Sequence, residues 1–362
     1  MSPVALPDFP WDSLAAAKAK AQAHPDGVVD LSVGTPVDPV PAGIRDALAS
    51  VSDVPGYPAT HGTPALRSAV VDALRRRHGI QGLDPDAVLP TIGSKELVAW
   101  LPRLLGVGAG DLVVIPELAY PTYEVGTLLA GATLVRADGL TQLGPRRPSL
   151  LWLNSPANPT GRVLGVEHLR KVVEWARERG TIVVSDECYL ALGWETEPLS
   201  ILHPSVHGGR LDGLLAVHSL SKSANLASYR AGFVTGDPAL VAQLLAVRKH
   251  AGMIVPRPVQ EAMVAALTDD EALGAQRERY ARRREPLRKA LKDSGFRIDH
   301  SEAGLYLWSS RDEDAWQTID WLADRGILAA PGTFYGPAGK NHVRIALTAT
   351  DERIDAAVTR LA

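Results

Sequence analysis

Cysteine is almost missing from this chain: Cys188 is the one thiol among 362 residues. A disulfide framework within one chain is therefore excluded, and so is a cysteine-ligated metal cluster. Apolar runs are short. None reaches the length of a membrane-crossing helix, so no transmembrane segment is expected. The opening stretch MSPVALPDFPWDSLAAAKAKA has no basic segment followed by an apolar one, so no secretory signal is read there and the expected location is the cytoplasm. Neither sign of charge is in excess. A net charge of −3 provides no positive field to recruit nucleic acid or an anionic membrane. The ten histidines contain no H-E-x-x-H, so a zinc hydrolase has no support and no metal is expected. One basic run stands out, Arg282, Arg283 and Arg284, in a helical pattern with acids interspersed. It reads as a solvated helix face.

What is present suits a soluble enzyme. At 46% apolar over 362 residues, the chain can bury two cores, or one large core with a satellite. Helical patterns are read over 14–23, 42–50 and 63–78. Short apolar strands then alternate with helices: LVVIP (112–116), LLWLN (150–154), TIVVSDE (181–187), LLAVHSL (214–220) and AGFVTG (231–236). One helix, 166–180, closes on Gly180. The alternation predicts a mostly parallel sheet between helix layers, with strands apolar throughout because both faces are covered. Beyond Pro238 a long helical stretch leads to short strands in GFRID, GLYLW, GILAA and HVRIAL. These read as a smaller α+β domain. The expected division is an N-terminal segment over 1–40 packing with the smaller domain, a large domain over 41–240, and the small C-terminal domain over 241–362.

Chemistry concentrates where such strands end. In HSLSKSANLASYRAGF (218–233), Lys222 sits among Ser219, Ser221 and Ser223, and Arg230 follows. Hydroxyls and a guanidinium suit a phosphate, and a lysine beside a phosphate site suits imine formation with a carbonyl. That pairing suggests pyridoxal 5′-phosphate. The idea demands a carboxylate for the pyridine nitrogen, and Asp186 ends a buried-type strand. It demands donors for the ring oxygen, which Tyr189 and Asn158 can supply. It demands a helix N-terminus for the phosphate, and Gly93 and Ser94 open one in TIGSKELVAWLPRLL. Tyr120 is the candidate for stacking on the ring. An arginine for the substrate carboxylate is available in Arg344 of HVRIAL. Each element also has an ordinary reading: Ser94 as a helix cap, NPTG as a turn, Tyr120 as a packed tyrosine.

Taken in order, NPTG, a strand ending in Asp-x-x-Tyr, and SLSK with an arginine eight residues on resemble the class I/II aminotransferases. These are fold-type I pyridoxal-phosphate enzymes, and the resemblance covers essentially the whole chain. It implies an imine on Lys222 and phosphate contacts from Ser94, Lys95 (through its backbone), Ser219 and Arg230, with Gly93 and Ser221 beside them. It implies Asp186 on the pyridine nitrogen, Asn158 and Tyr189 on the ring oxygen, and Tyr120 on the ring face. Arg344 would hold the α-carboxylate, with Gly34 and Asn158 lining that pocket. Tyr57 matches a tyrosine that reaches across a homodimer to the neighbouring site, implying shared active sites. AYPTYEVG, DECYLALGW and PGTFYGPAG narrow the resemblance to actinobacterial N-succinyl-diaminopimelate aminotransferases, with glutamate as amino donor. Small amino acids and 2-oxo acids are then the partners. The distal carboxylate of either substrate would need a further cation, for which Arg248, Lys249 and Arg257 are candidates.

Other readings compete. Ser219 and Lys222 fit S-x-x-K of penicillin-binding enzymes, but no Lys-Thr-Gly occurs. GVGAG (106–110) lies between a helix and a strand in the wrong order for a dinucleotide fold. A C–S lyase or another aminotransferase on the same scaffold stays open, as does a non-catalytic sensor domain.

Overall fold

The computed structural model describes residues 5–362, so the first four residues of the expected N-terminal segment lie outside the described residues. The chain enters through the helix Ala15–Gln22 and a short strand, β1 (Val29–Asp30). The main sheet has seven strands: β2 (Val88–Ile92), β3 (Leu112–Ile115), β4 (Thr133–Arg136), β5 (Leu150–Asn154), β6 (Ile182–Asp186), β7 (Leu214–Ser219) and β8 (Ala231–Gly236). Their order is β2-β8-β7-β6-β5-β3-β4. Only β8 opposes its neighbours, pairing antiparallel with both β2 and β7. The reason is local: residues 220–230 are too few for the crossover a parallel return needs. The pattern of apolar runs did not reveal β2 or β4. Both are edge strands, and β2 carries Pro90, which only an edge tolerates.

Period-two alternation sorts the two helix layers. Trp152, Val184 and Leu215 pack with Leu97 and Leu101 of the helix Gly93–Leu104. Leu151, Val183 and Leu214 pack on the other face with Leu169 and Val172 of the helix Val166–Arg179. The helix Pro238–Ala251 adds Val241 and Leu244 to the first layer, and Arg257–Thr268 adds Ala262 and Met263 to the second.

The smaller sheet is antiparallel. It contains β9 (Arg297–Asp299) and β10 (Tyr306–Ser310), then, after the short β11 (Ile327–Leu328), β12 (Ala330–Pro331) and β13 (Val343–Ala346). The order is β12-β13-β10-β9. β11 pairs parallel with β1, Val29 against Ile327, so the N-terminal segment lies with this smaller unit. The helix Asp270–Asp293 joins it through Tyr280, Leu287 and Leu291. A mostly parallel sheet between helices plus a smaller α+β unit is the architecture that the alternation predicts. Among the described residues, no helix is long and apolar enough to cross a membrane.

The basic run corrects the sequence reading. Arg282 is exposed, but Arg283 and Arg284 are only 4% and 5% exposed. Arg283 grips Asp38 with two donors at 2.6 and 2.9 Å and reaches Asp351 at 2.5 Å. Arg284 donates to Glu195 and to the Ser301 carbonyl. Asp38, Asp351 and Glu195 lie 245, 68 and 89 positions away along the chain, so a local charge pattern could not announce them.

Candidate active site

Asn154, Asp186 and Ser219 are the last residues of the parallel strands β5, β6 and β7. They open into a cavity of about 680 Å³ that also receives the lysine loop, the segment at Gly34 and Arg344 from β13. Gly34, Ser94, Lys95, Tyr120, Asn158, Asp186, Tyr189, Ser219, Ser221, Lys222, Arg230 and Arg344 all line it. Residues spread over three hundred positions of sequence thus share one wall, as the carboxyl edge of such a sheet allows.

Lys222 is half-buried, and its Nζ donates to the Gly34 carbonyl. Burial pulls its ammonium below the ordinary lysine range. Arg344 and Arg230 pull the same way, while Tyr306 and Cys188 oppose them. A depressed pKa frees the amine for use as a nucleophile or base.

Asp186 is buried. Its Oδ2 accepts from the Tyr123 hydroxyl at 2.7 Å and its Oδ1 from the Cys188 amide at 3.2 Å. Burial pushes its pKa up, and these bonds pull the other way. Among the described residues, no lysine, arginine or histidine forms an ion pair with it, so a carboxylate stands at the cavity wall ready for a cationic partner. Asn154 braces this corner: its amide donates to the Asp186 carbonyl at 2.9 Å and its oxygen accepts from the Asn158 amide at 2.7 Å.

Arg344 is buried. It donates to Asn158 Oδ1 at 2.9 Å and to the Ser32 carbonyl at 2.7 Å, and among the described residues its Nε has no partner. Its guanidinium lies 3.9 Å from the centre of the Tyr306 ring. The Tyr306 hydroxyl meets that of Tyr189 at 3.1 Å. Burial alone would raise the Tyr306 pKa, but the Arg344 and Lys222 cations draw it down. Gly34 is required here, since a Cβ would overlap the Tyr306 hydroxyl.

The opposite end is built for an anion. The helix Gly93–Leu104 starts without a side-chain cap, so its first amides are free and Ser94 does not act as a cap. Gly93 holds φ +70°, and a Cβ there would run into the Arg230 guanidinium. Arg230 itself has φ +55° and is tied to the Ala227 carbonyl at 2.7 Å. Ser94, Ser219 and Ser221 add hydroxyls.

Several expected residues lie elsewhere. Tyr57 is 101% exposed and outside the cavity. Arg248 is fully buried in a two-pronged pair with Glu96, and Arg257 is paired to Glu261. Neither they nor Lys249 lines the cavity, so the distal-carboxylate candidates are withdrawn for this chain's own site. The segment GLYLW (304–308) is a candidate for lining the pocket, and its Tyr306 does so while Trp308 packs in the core; the sequence reading missed Tyr123, Asn154, Phe9 and Trp11. Tyr123 follows Tyr120 three residues on, so it had a faint signal. Phe9 and Trp11 had none. Phe9 lies over the mouth, its ring 5.5 Å from Lys95 Nζ and 5.6 Å from Trp11.

A family model described as aminotransferase class I and II matches residues 26–361. The chain is 68% identical to a probable aminotransferase of Mycobacterium tuberculosis, over 98% of its own length and 85% of the relative's. It is 58% identical to 4-dedimethylamino-4-oxo-anhydrotetracycline transaminase OxyQ of Streptomyces rimosus, over 98% and 99%. Among solved structures, it is similar to a probable N-succinyldiaminopimelate aminotransferase from Thermus thermophilus. The identity there is 31% and the TM-score 0.87, covering 98% of this chain and 99% of that one.

Proposed function

The chain belongs to the class I and II aminotransferases, pyridoxal-phosphate enzymes of fold type I, and we propose that its cavity carries out transamination with Lys222 as the reacting amine. One observation carries this reading: a lysine with a depressed pKa lies between an anion cradle and a buried carboxyl group that forms no ion pair among the described residues.

The donor set fits pyridoxal 5′-phosphate. The free amides after Ile92, the serine hydroxyls and Arg230 would hold its phosphate. Asp186 would pair with the ring nitrogen, Asn158 and Tyr189 would serve the ring oxygen, and Tyr120 would lie on the ring. When bound, the cofactor supplies an electron sink for the carbanion formed at the substrate's α-carbon. The protein's own residues do the rest. Lys222 takes up and returns protons at Nζ. Tyr123 and the Cys188 amide bond to the Asp186 carboxyl and offset part of the upward push that burial gives its pKa. Arg344, fixed by Asn158 and Ser32, grips the α-carboxylate, and Gly34 leaves room for Tyr306 beside it.

For substrates, the reading is N-succinyl-LL-2,6-diaminopimelate with 2-oxoglutarate and glutamate as the partner pair. The motif resemblance supports it, as does the name of the similar Thermus protein. A second reading has its own observation: the exposed Phe9 ring and Trp11 line the mouth, and OxyQ is named for a polycyclic ketone. We also propose a homodimer with shared sites, supported by the unburied Tyr57 ring.

The test is glutamate-dependent transamination against a panel of keto acids that includes N-succinyl-2-amino-6-oxopimelate. The purified protein is expected to show a visible absorbance band, and Lys222→Ala is expected to lose both band and turnover. A Lys222→Ala protein that turns over at the parent rate would sink the reading.

A further inference from the structure

Behind Lys222 runs a chain of polar side chains that the transamination reading does not use. The Tyr280 hydroxyl donates to the Lys222 carbonyl at 3.1 Å. Three residues on, Asn225 holds φ +57°, a conformation that a non-glycine residue keeps only when its surroundings impose it. Its Nδ2 donates to Gln276 Oε1 at 2.9 Å and to the Pro39 carbonyl at 3.2 Å. Gln276 Nε2 donates in turn to Asp38 Oδ2 at 2.8 Å. Asp38 receives the Arg283 fork, and Arg283 reaches Asp351. Residues 276, 280 and 283 are spaced four and three apart, so they share one face of the helix Asp270–Asp293. Asn225, Gln276, Tyr280 and Arg283 are all buried.

The segment from Gly34 to Pro39 is stitched to the lysine loop at both ends. Lys222 Nζ bonds to the Gly34 carbonyl, and Asn225 bonds to the Pro39 carbonyl. In between, Asp38 is held by Arg283 and Gln276. Burial would push its carboxyl up, but the bonds from Arg283 and Gln276 bring it below the usual range. It is therefore charged at neutral pH and paired on both oxygens. A buried ion pair contributes little net stability, but it can fix register.

We propose that this network is a positioning device for Lys222: one face of the helix Asp270–Asp293 sets the backbone of the lysine loop and clamps segment 34–39 against it, keeping Nζ in the cavity wall. The inference rests on Lys222 being the reacting amine. Tyr306, Arg344, Cys188 and Arg230 share the cavity wall with Lys222, and the burial that lowers its pKa holds only while the loop stays in place. Breaking the network lets the loop relax, admits water and returns the amine toward ordinary lysine behaviour.

The experiment measures the pH dependence of Lys222 acetylation by acetic anhydride in the full-length chain without added cofactor, read by peptide mass spectrometry. Asp38→Asn and Tyr280→Phe are each expected to raise the midpoint by about one pH unit, leaving about tenfold less free amine at neutral pH. Arg284→Gln is the structural control. Arg284 is equally buried on the same helix, but it bonds to Glu195 and Ser301. That variant should melt earlier with the Lys222 midpoint unchanged. In the loaded enzyme, Asp38→Asn should lower kcat about tenfold with the KM for the amino donor unchanged, because Arg344 is untouched. If Asp38→Asn and Tyr280→Phe only lower the melting temperature and leave the midpoint in place, the proposal is overturned. Should Asp38→Asn fail to fold, Tyr280→Phe, which removes a single hydroxyl, decides alone. Failure of the transaminase reading would appear instead as turnover by Lys222→Ala, whatever the midpoints do.

Discussion

Gly34 shows how much one missing side chain can matter. Its carbonyl accepts from Lys222, and the space of its absent Cβ is taken by the Tyr306 hydroxyl. Gly34→Ala must therefore displace Tyr306 from Arg344, or the lysine loop from its partner. Steady-state kinetics should show kcat/KM falling about a hundredfold, the scale for a reacting group misplaced by an ångström, with the fold intact. On the other face of the same strand ends, Glu187 and His218 are both buried. Glu187 Oε1 accepts from the Ile201 amide at 2.8 Å, and its Oε2 lies 3.7 Å from His218 Nε2. Burial pushes Glu187 up to about 7 from 4.5 and His218 down to about 3 from 6.5. The raised carboxyl stabilises the fold at low pH, and that contribution is lost as pH climbs through about 7. The depressed imidazole stabilises above 6.5, and its contribution is lost as pH falls toward about 3. Calorimetry across pH should separate the two. Glu187→Gln flattens the decline in melting temperature between about pH 5 and 8, and His218→Phe flattens the decline below about 6.5. Unchanged profiles in both variants would refute the assignment.

At the scale of elements, the anion end depends on where one helix begins. The helix Gly93–Leu104 follows β2 without a cap, and Gly93 takes the left-handed turn that aims its amides into the cavity beside Arg230. An alanine at 93 would be strained in the backbone and would collide with the guanidinium. Gly93→Ala should weaken binding of pyridoxal 5′-phosphate at least about tenfold, with a smaller effect on pyridoxal, which lacks the phosphate. Equilibrium titration of the two ligands checks this, and equal losses would mean the cradle is not at this turn. Strand ends act in the same way. Because side chains alternate, Asp186 and Ser219 face the cavity while Glu187 and His218 lie beneath the sheet.

At the scale of the molecule, the site gathers the segment at Gly34 and residues from both sheets. Among the described residues Tyr57 and Val54 are exposed, and the proposed homodimer would cover them. Sedimentation should give twice the chain mass at micromolar concentration, and a monomer that retains full turnover would contradict shared sites.

The linear order of residues already pointed to the family and to residues that line one cavity. Strand–helix alternation follows from local apolar periodicity, and Lys222, Asp186, Asn158 and Arg344 sit in short motifs whose turn and strand-end grammar is local too. Folding supplied what depends on distant partners. Arg283 looked like a solvated cation because Asp38 is 245 positions away. Arg248 looked available because Glu96 is 152 positions away. Phe9 and Trp11 joined the cavity through packing between distant segments, which no window of neighbouring residues encodes. Local pattern records what a residue is able to do. Whether a charge is free, paired or aimed at a substrate depends on which distant side chain arrives beside it, because burial and electrostatics act across space and not along the chain.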